Sequence, residues 1–145
     1  MKPSRHFIVS AFLAALMAAV ARRPAASLLC FASGFLIDID HIFEYIAHYG
    51  LRDFTIEKFL NACEETRKIK GDCGFRKIYL IFHGYEIAIL LVLLCFYTQN
   101  IYLVAITLGY IPHLAMDAFG NTLTARSYFL TYRAMKNFKL EALLR

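Results

Sequence analysis

Seven ionisable residues of two chemical kinds stand near the ends of long apolar stretches in this sequence. They are all acidic residues or histidines: Asp38, Asp40, His41, His83, Glu86, His113 and Asp117. A charge buried near lipid costs about 3 kcal/mol unless it is paired or ligated. Crowded carboxylates repel one another, and a divalent cation relieves that repulsion. Histidine mixed with carboxylate favours zinc, manganese or iron over calcium or magnesium, so we expect one or two metal ions, zinc first.

Most of these residues form pairs at helical spacing. The pairs, three or four residues apart, are Asp38 with His41, His83 with Glu86, and His113 with Asp117. Side chains at such a spacing share one face of a helix. Asp40 points about 200° away from Asp38, at about 100° per residue. We therefore expect Asp40 either to serve a second metal or to orient a ligand.

Two further residues, Glu44 and His48, are weaker candidates. Glu44 and His48 continue the arc that begins at Asp38 by one and two helical turns. His6 and His48 are typical of histidines at a membrane interface that carry no chemistry. A single polar pair on a helix is also most often a simple contact, so the metal prediction depends on the three pairs converging.

The elements that must position these residues are apolar helices. Of the 145 residues, 59% are hydrophobic and 19% are charged, whereas soluble domains average about 25% charged. Four stretches are nearly free of charge: residues 7–21, 25–37, 78–98 and 101–120. A membrane-spanning helix needs about 20 apolar residues. The sequence predicts an all-α integral membrane bundle of about four helices in a single domain, residues 1–145.

Punctuating residues set the ends of these helices. Pro24 suits the first position of the second helix. That helix is expected to continue through Asp38–His41 towards Gly50, a favourable stop. Gln99 and Asn100 predict a tight turn between the third and fourth stretches.

Two polar segments are predicted to lie at the membrane surface. In residues 51–77, Asp53 is a plausible N-cap and an apolar face follows it, formed by Ile56, Phe59, Leu60 and Cys63. This pattern indicates an interfacial amphipathic helix. The tail, residues 122–145, mixes aromatic and basic residues, and we expect its charges to face water.

The N-terminus admits two interpretations. Lys2 and Arg5, an apolar core and residues 19–21 resemble a signal peptide with a cleavage site. We prefer a retained first helix, because the next apolar segment needs a partner to pack against.

Topology brings the candidate residues together. If the helices alternate direction, all basic residues except Arg22 and Arg23 lie on the side where the chain starts. The positive-inside rule makes that side the cytoplasm. The same alternation places the ionisable residues of three distant segments at one membrane depth on that side.

Three short motifs resemble the membrane-bound metal-dependent hydrolases, also described as LexA-binding, inner-membrane-associated hydrolases. The motifs are GFLIDIDH at 34–41, FHGYE at 82–86 and GYIPHLAMD at 109–117. That family is distantly similar to the zinc-dependent phospholipases C. The resemblance implies that His113 with Asp117 and His83 with Glu86 bind metal, alongside Asp38, Asp40 and His41. Many members have a second histidine where Glu86 stands, which implies one or two ions rather than three.

The function expected first is hydrolysis of a phosphoester, such as a lipid headgroup, at the cytoplasmic face of a prokaryotic inner membrane. Asp40 or Glu86 would serve as general base. The alternatives are an ion- or metal-binding transporter and a non-catalytic membrane scaffold. Membrane lipids are the expected partners, and an oligomer stays open. Nucleic acid is not expected, because the basic residues lie in loops between apolar runs.

Overall fold

A computed structural model describes residues 3–52, 54–68 and 75–144, and the regular secondary structure of these residues is entirely helical. The helices are α1 (Pro3–Ala21), α2 (Pro24–Phe35), α3 (Ile39–Tyr49), α4 (Ile56–Lys68), α5 (Tyr85–Thr98), α6 (Ile101–Gly120) and α7 (Leu130–Met135), with 3-10 turns at Leu36–Asp38, Ala125–Tyr128 and Leu140–Ala142. Within the described ranges there is no β-strand, and isolated bridges join Lys77 to Lys139 and Leu123 to Leu144.

Three helical stretches are long and apolar enough to cross a membrane: Ser4–Ala21, Pro24–Tyr49 and Ile101–Gly120. The second stretch combines α2, the 3-10 turn and α3. The predicted third segment, residues 78–98, is wrong at its start, because helix α5 begins only at Tyr85. Its 14 residues span about 21 Å, less than the hydrocarbon core of about 30 Å. Residues 78–84 are irregular, since side chains elsewhere bind their backbone groups.

The predicted helix ends are confirmed. Pro24 lies in the first turn of α2, and Gly50 ends α3 with a φ of 81°. Gln99 is left-handed at the end of α5, with a φ of 51°. The side chain of Asn100 then caps α6 by accepting a hydrogen bond of 2.8 Å from the backbone N of Tyr102. These local signals place α5 and α6 as neighbours.

Helices α1, α2 and α6 pack closely on one another. A Cβ atom on Gly109 would overlap the carbonyl oxygen of Cys30, and one on Gly34 would lie 2.5 Å from Ser10 Oγ. Small residues let helix backbones approach in this way inside membranes. The Ser33 hydroxyl fastens the crossing by donating to the carbonyl of Ile106 at 2.9 Å. A retained first helix stays a prediction.

The amphipathic helix exists, as α4, although Asp53 lies outside the described residues. Of the four residues of the predicted apolar face, Phe59 and Cys63 pack against the core, whereas Ile56 is 72% exposed and Leu60 is 49% exposed. Ala62 is buried instead. The apolar surface of α4 is therefore split between the protein and its surroundings, and its place at the membrane surface stays a prediction.

The tail is more deeply integrated than predicted. Tyr128 and Leu143 are buried within the core. Arg133, which we expected to face water, is 1% exposed. That expectation was wrong because the guanidinium binds backbone carbonyl groups of the irregular segment before α5.

Candidate metal centre

Four of the predicted residues meet in one cluster: Asp38, His83, His113 and Asp117. Asp38 ends the 3-10 turn between α2 and α3, and the α6 residues are one turn apart. His83 comes from the irregular segment rather than from a helix. All of the cluster is buried except Asp38, whose side chain is 27% exposed. The predicted convergence of three distant segments is therefore realised in the structure.

The spacing of the facing atoms is regular. His83 Nε2 lies 3.4 Å from Asp38 Oδ1 and 3.4 Å from Asp117 Oδ2. His113 Nε2 lies at the same two distances from the same two oxygens. The two Nε2 atoms are 3.2 Å apart. Tetrahedral zinc with bonds of about 2.0–2.1 Å separates its ligand atoms by about 3.3–3.4 Å. Five of the six distances among these four atoms therefore match those expected around a tetrahedral zinc ion.

In each histidine the hydrogen bond of Nδ1 determines the tautomer, and therefore whether Nε2 faces the cluster with a lone pair. His113 Nδ1 lies 2.7 Å from the carbonyl oxygen of Gly34, which can only accept. Nδ1 therefore carries the proton, and Nε2 presents a lone pair. His83 Nδ1 lies 3.1 Å from Asp40 Oδ2, and donation to that carboxylate likewise frees Nε2. Metal-ligating histidines are oriented by such partners.

Two facing lone pairs beside two carboxylates attract a positive charge. Burial alone would lower the pKa of His83, but hydrogen bonds to Asp117, Asp38 and Asp40 outweigh it and raise the pKa well above its usual value. A proton on His83 supplies part of that charge. A divalent cation would supply more positive charge than a proton and would contact all four facing atoms at once.

Acidic side chains hold the backbone N–H groups of the segment that carries His83. Glu44 accepts hydrogen bonds from the backbone N of Tyr79 at 3.0 Å and of Leu80 at 3.1 Å. Asp40 Oδ2 accepts from the backbone N of Phe82 at 3.0 Å. Leu80 has a φ of 37°, a backbone conformation that only strong surrounding contacts maintain.

Donors from the other side satisfy the carbonyl groups of the same segment. Arg133 Nη1 donates to the carbonyls of Tyr79 at 2.6 Å and Leu80 at 2.8 Å, and Nη2 donates to that of His83 at 3.0 Å. The Tyr110 hydroxyl lies 2.8 Å from the carbonyl of Phe82. These side-chain contacts fix the backbone on both sides of His83 and thereby fix the position of its imidazole.

Burial lowers the pKa of Arg133, and the negative charges of Asp40, Glu86 and Glu44 partly offset that effect. The three carboxylates thus stabilise the buried charge of Arg133 from a distance, since no carboxylate among the described residues contacts the guanidinium directly. Arg133 acts on the cluster through the position of His83.

His6 belongs to the centre, although the sequence analysis assigned it no chemistry. It is 1% exposed, and its ring stacks on His113 at 4.0 Å. His6 Nε2 lies 3.2 Å from Asp117 Oδ1, the carboxylate oxygen that the four-atom cluster leaves over. The topology already contained the signal, because the start of α1 lies on the side where the other residues converge.

A second group, formed by Asp40, His41 and His83, shares His83 with the first. His83 uses Nδ1 for Asp40 and Nε2 for the cluster, so this geometry favours one ion. Asp40 therefore orients His83, which corresponds to the second of its two predicted roles. His41 Nε2 lies 3.6 Å from Asp38 Oδ1, and the His41 side chain is 29% exposed. His41 and Asp38 thus form the accessible edge of the centre.

Glu86 lies in neither group, so its assignment as metal ligand and base is revised. Its carboxylate accepts hydrogen bonds of 2.9 Å from the backbone N of Leu130 and of Thr131, and from the Thr131 hydroxyl. The prediction failed because it assumed a helix through His83, which would have placed both side chains on one face. Glu86 instead binds the N-terminus of α7, where negative charge is favourable.

Two observations test the fit of a metal ion. Five of the six distances among the four facing atoms are 3.2–3.4 Å, and two atoms of residues that contact the cluster, His6 Nδ1 and Asp40 Oδ1, are buried without a hydrogen bond. Polar atoms buried in this way are uncommon without a further partner.

The fold and this cluster define a class: an all-helical protein with three helices able to cross a membrane and a buried Asp/His group that fits a metal. Neither a scan against protein-family models nor searches of curated proteins and of solved structures gave a match.

Proposed function

We propose that this protein is a membrane-bound metal-dependent hydrolase that cleaves a phosphoester in or near lipid headgroups. The observation that carries the proposal is the set of two imidazole nitrogens and two carboxylate oxygens with facing distances of 3.2–3.4 Å. Asp38, one of the set, and His41 beside it are partly exposed. Zinc suits this donor set best, and manganese or iron are alternatives. The resemblance of the three motifs to the metal-dependent hydrolases supports the same reaction class.

Each side chain has a role in this proposal. His83, His113 and Asp117 hold the ion. Asp38 completes the set at the accessible edge, where its exposure allows it to yield a position to substrate. A bound divalent ion supplies Lewis acidity, which activates water and offsets charge on a phosphate oxygen. His41, next to Asp38 at the same edge, is placed to take the proton.

The depth of the centre supports action at a membrane face. His113 and Asp117 precede the end of α6 by seven and three residues, or about 11 and 5 Å. A headgroup at the membrane surface can reach this depth. The excess of basic residues on the corresponding side of the predicted topology favours the cytoplasmic face of the inner membrane.

The experiment that tests the proposal is metal analysis followed by turnover. The protein is purified in mild detergent, and zinc, manganese and iron are quantified for the wild type, His113→Ala and the control His48→Ala. His48 is a suitable control because its Nδ1 binds the carbonyl of Glu44 within α3, away from the cluster. We expect about one ion per chain in the wild type and the control, and none in His113→Ala.

Turnover is then measured on phosphoester and phospholipid substrates in nanodiscs, with and without a chelator. Metal-dependent phosphate release that His113→Ala abolishes supports the hydrolase. The absence of metal from every preparation, even after supplementation, would rule it out.

A structural metal is the second candidate function, because four protein ligands with no open position characterise structural zinc. In that case His113→Ala lowers thermal stability, and no substrate is turned over by the metal-loaded wild type. A transporter is less favoured. Transport sites usually lie near the bilayer midplane, whereas Asp117 and His113 lie about 5 and 11 Å from the end of α6.

A further inference from the structure

An apolar groove of about 430 Å³ runs between α5 and α6. Alanines such as Ala88 and Ala115 leave space between larger side chains such as Leu93, Ile111 and Phe119. None of the residues of α5 is buried, although the helix is almost entirely apolar. This face of the protein therefore needs an apolar partner.

The groove is separate from the metal centre. Leu114 and Ala118 line it, and each follows a cluster residue of α6 by one position. They therefore lie about 100° around the helix from His113 and Asp117. A molecule in the groove does not contact the cluster, so the role of the groove does not depend on the proposed hydrolase activity.

The length of the groove matches one leaflet of a bilayer. Its lining runs from Tyr85 to Leu93 on α5 and from Ile111 to Phe119 on α6. Eight helical steps on each side give about 12 Å, close to half of the hydrocarbon thickness of about 30 Å. The groove thus has the extent of an acyl chain portion that reaches from the membrane surface towards the midplane.

The surface end of the groove is basic. Ala125 lines that end, and exposed Arg126 follows it directly. Among the described residues, Arg126 forms no ion pair. Tyr85, at the same end, stacks edge to face with Phe129 at 5.0 Å, and tyrosines are typical of headgroup depth. Guanidinium groups bind phosphate well.

We propose that this groove binds an acyl chain of an anionic phospholipid whose phosphate lies against Arg126. The alternative occupant is a second copy of the chain, which carries a formal net charge of +5. The charge at the mouth therefore favours the anionic lipid.

The test uses the full chain in nanodiscs that contain phosphatidylglycerol or phosphatidylcholine with a photoreactive group in one acyl chain. We expect labelling to map to residues 88–93 and 111–119 and to be stronger with phosphatidylglycerol. Ala88→Phe and Ala115→Phe should each reduce groove labelling to the level of other exposed helix positions. Ala19→Phe, on the exposed surface of α1, is the matched control and should leave groove labelling unchanged.

Arg126→Gln should reduce the preference for phosphatidylglycerol about fivefold, as expected for one basic residue at an anionic surface. An unchanged preference for phosphatidylglycerol in Arg126→Gln would overturn the headgroup assignment. Labelling equal to wild type in both Ala88→Phe and Ala115→Phe would overturn the groove assignment. Groove labelling that falls as chemically cross-linked dimers accumulate would assign the groove to a second copy instead. Thermal unfolding is measured for every variant, and an unchanged midpoint shows that folding is preserved.

Discussion

Replacing Asp40 by asparagine tests whether the buried cluster is a metal site in which Asp40, outside the four-atom set, orients the imidazole of His83. Asp40 Oδ2 serves two donors at once, the backbone N of Phe82 at 3.0 Å and His83 Nδ1 at 3.1 Å. Asparagine can keep an oxygen in that position only by placing its NH2 group where Oδ1 now lies, buried and without a hydrogen-bond partner. The substitution then loses the charge of the acceptor and adds an unsatisfied donor.

The opposite amide orientation is worse for metal binding. An NH2 group facing His83 Nδ1 favours the tautomer in which Nε2 carries the proton, and that proton occupies the ligand position. Loss of such an orienting partner typically weakens metal binding by about 10- to 100-fold. That range corresponds to about 1.4–2.7 kcal/mol. We therefore expect Asp40→Asn to bind zinc with reduced affinity and near-normal stoichiometry at saturation.

Affinity is measured in mild detergent by competition with a chromophoric chelator at constant pH. Glu57→Gln, an exposed carboxylate-to-amide change in the first turn of α4, is the control and should match the wild type. Thermal unfolding with excess chelator separates any effect on folding from the effect on metal. A zinc affinity within twofold of wild type for Asp40→Asn would refute the tautomer argument.

Three further substitutions separate ligands from supports. His6→Ala should weaken zinc binding by about tenfold in the same competition assay, because Asp117 loses the imidazole beside its outer oxygen; unchanged affinity would show that His6 only packs. Glu86→Gln should lower the free energy of unfolding by about 1 kcal/mol through the weakened cap of α7, with full zinc stoichiometry by elemental analysis; loss of zinc would restore Glu86 as a ligand. Arg133→Met should destabilise the chelator-treated protein by about 3 kcal/mol, because three buried carbonyl groups lose their donor. The loss is measured by thermal unfolding in detergent, with Lys136→Met as the control.

The parts of the fold that local chemistry decides could be predicted from the sequence. Pro24, Gly50 and the Gln99–Asn100 turn act through backbone conformation within a few residues, so the pattern alone locates these ends. Convergence of the acidic residues and histidines could also be predicted, since helices of similar length that alternate direction bring their ends to common depths.

The irregular segment that carries His83 could not be predicted. Residues 78–82 are mostly apolar and continue the hydrophobic run of α5, so their pattern indicates helix. Glu44 and Arg133, which are distant in sequence, instead bind the backbone of this segment and stabilise the irregular form. The same long-range contacts explain why Glu86 was misplaced and why Arg133 was expected in water.

The balance of buried charge decides between a metal centre and a scaffold of ion pairs. Asp40, Glu44 and Asp117 are each less than 10% exposed, and Arg133 is the one buried arginine or lysine in the described chain. Arg133 lies against the segment that Glu44 and Asp40 also bind, so its charge is shared with them. Asp38 and Asp117 are then left facing two imidazole lone pairs. A single proton between them leaves net negative charge buried, which is costly. A proton on each imidazole would balance the charge but would bring the Nε2 atoms of two imidazolium rings within 3.2 Å of each other. A divalent ion cancels both carboxylates and satisfies all four facing atoms, which is the physical reason to expect metal in this protein.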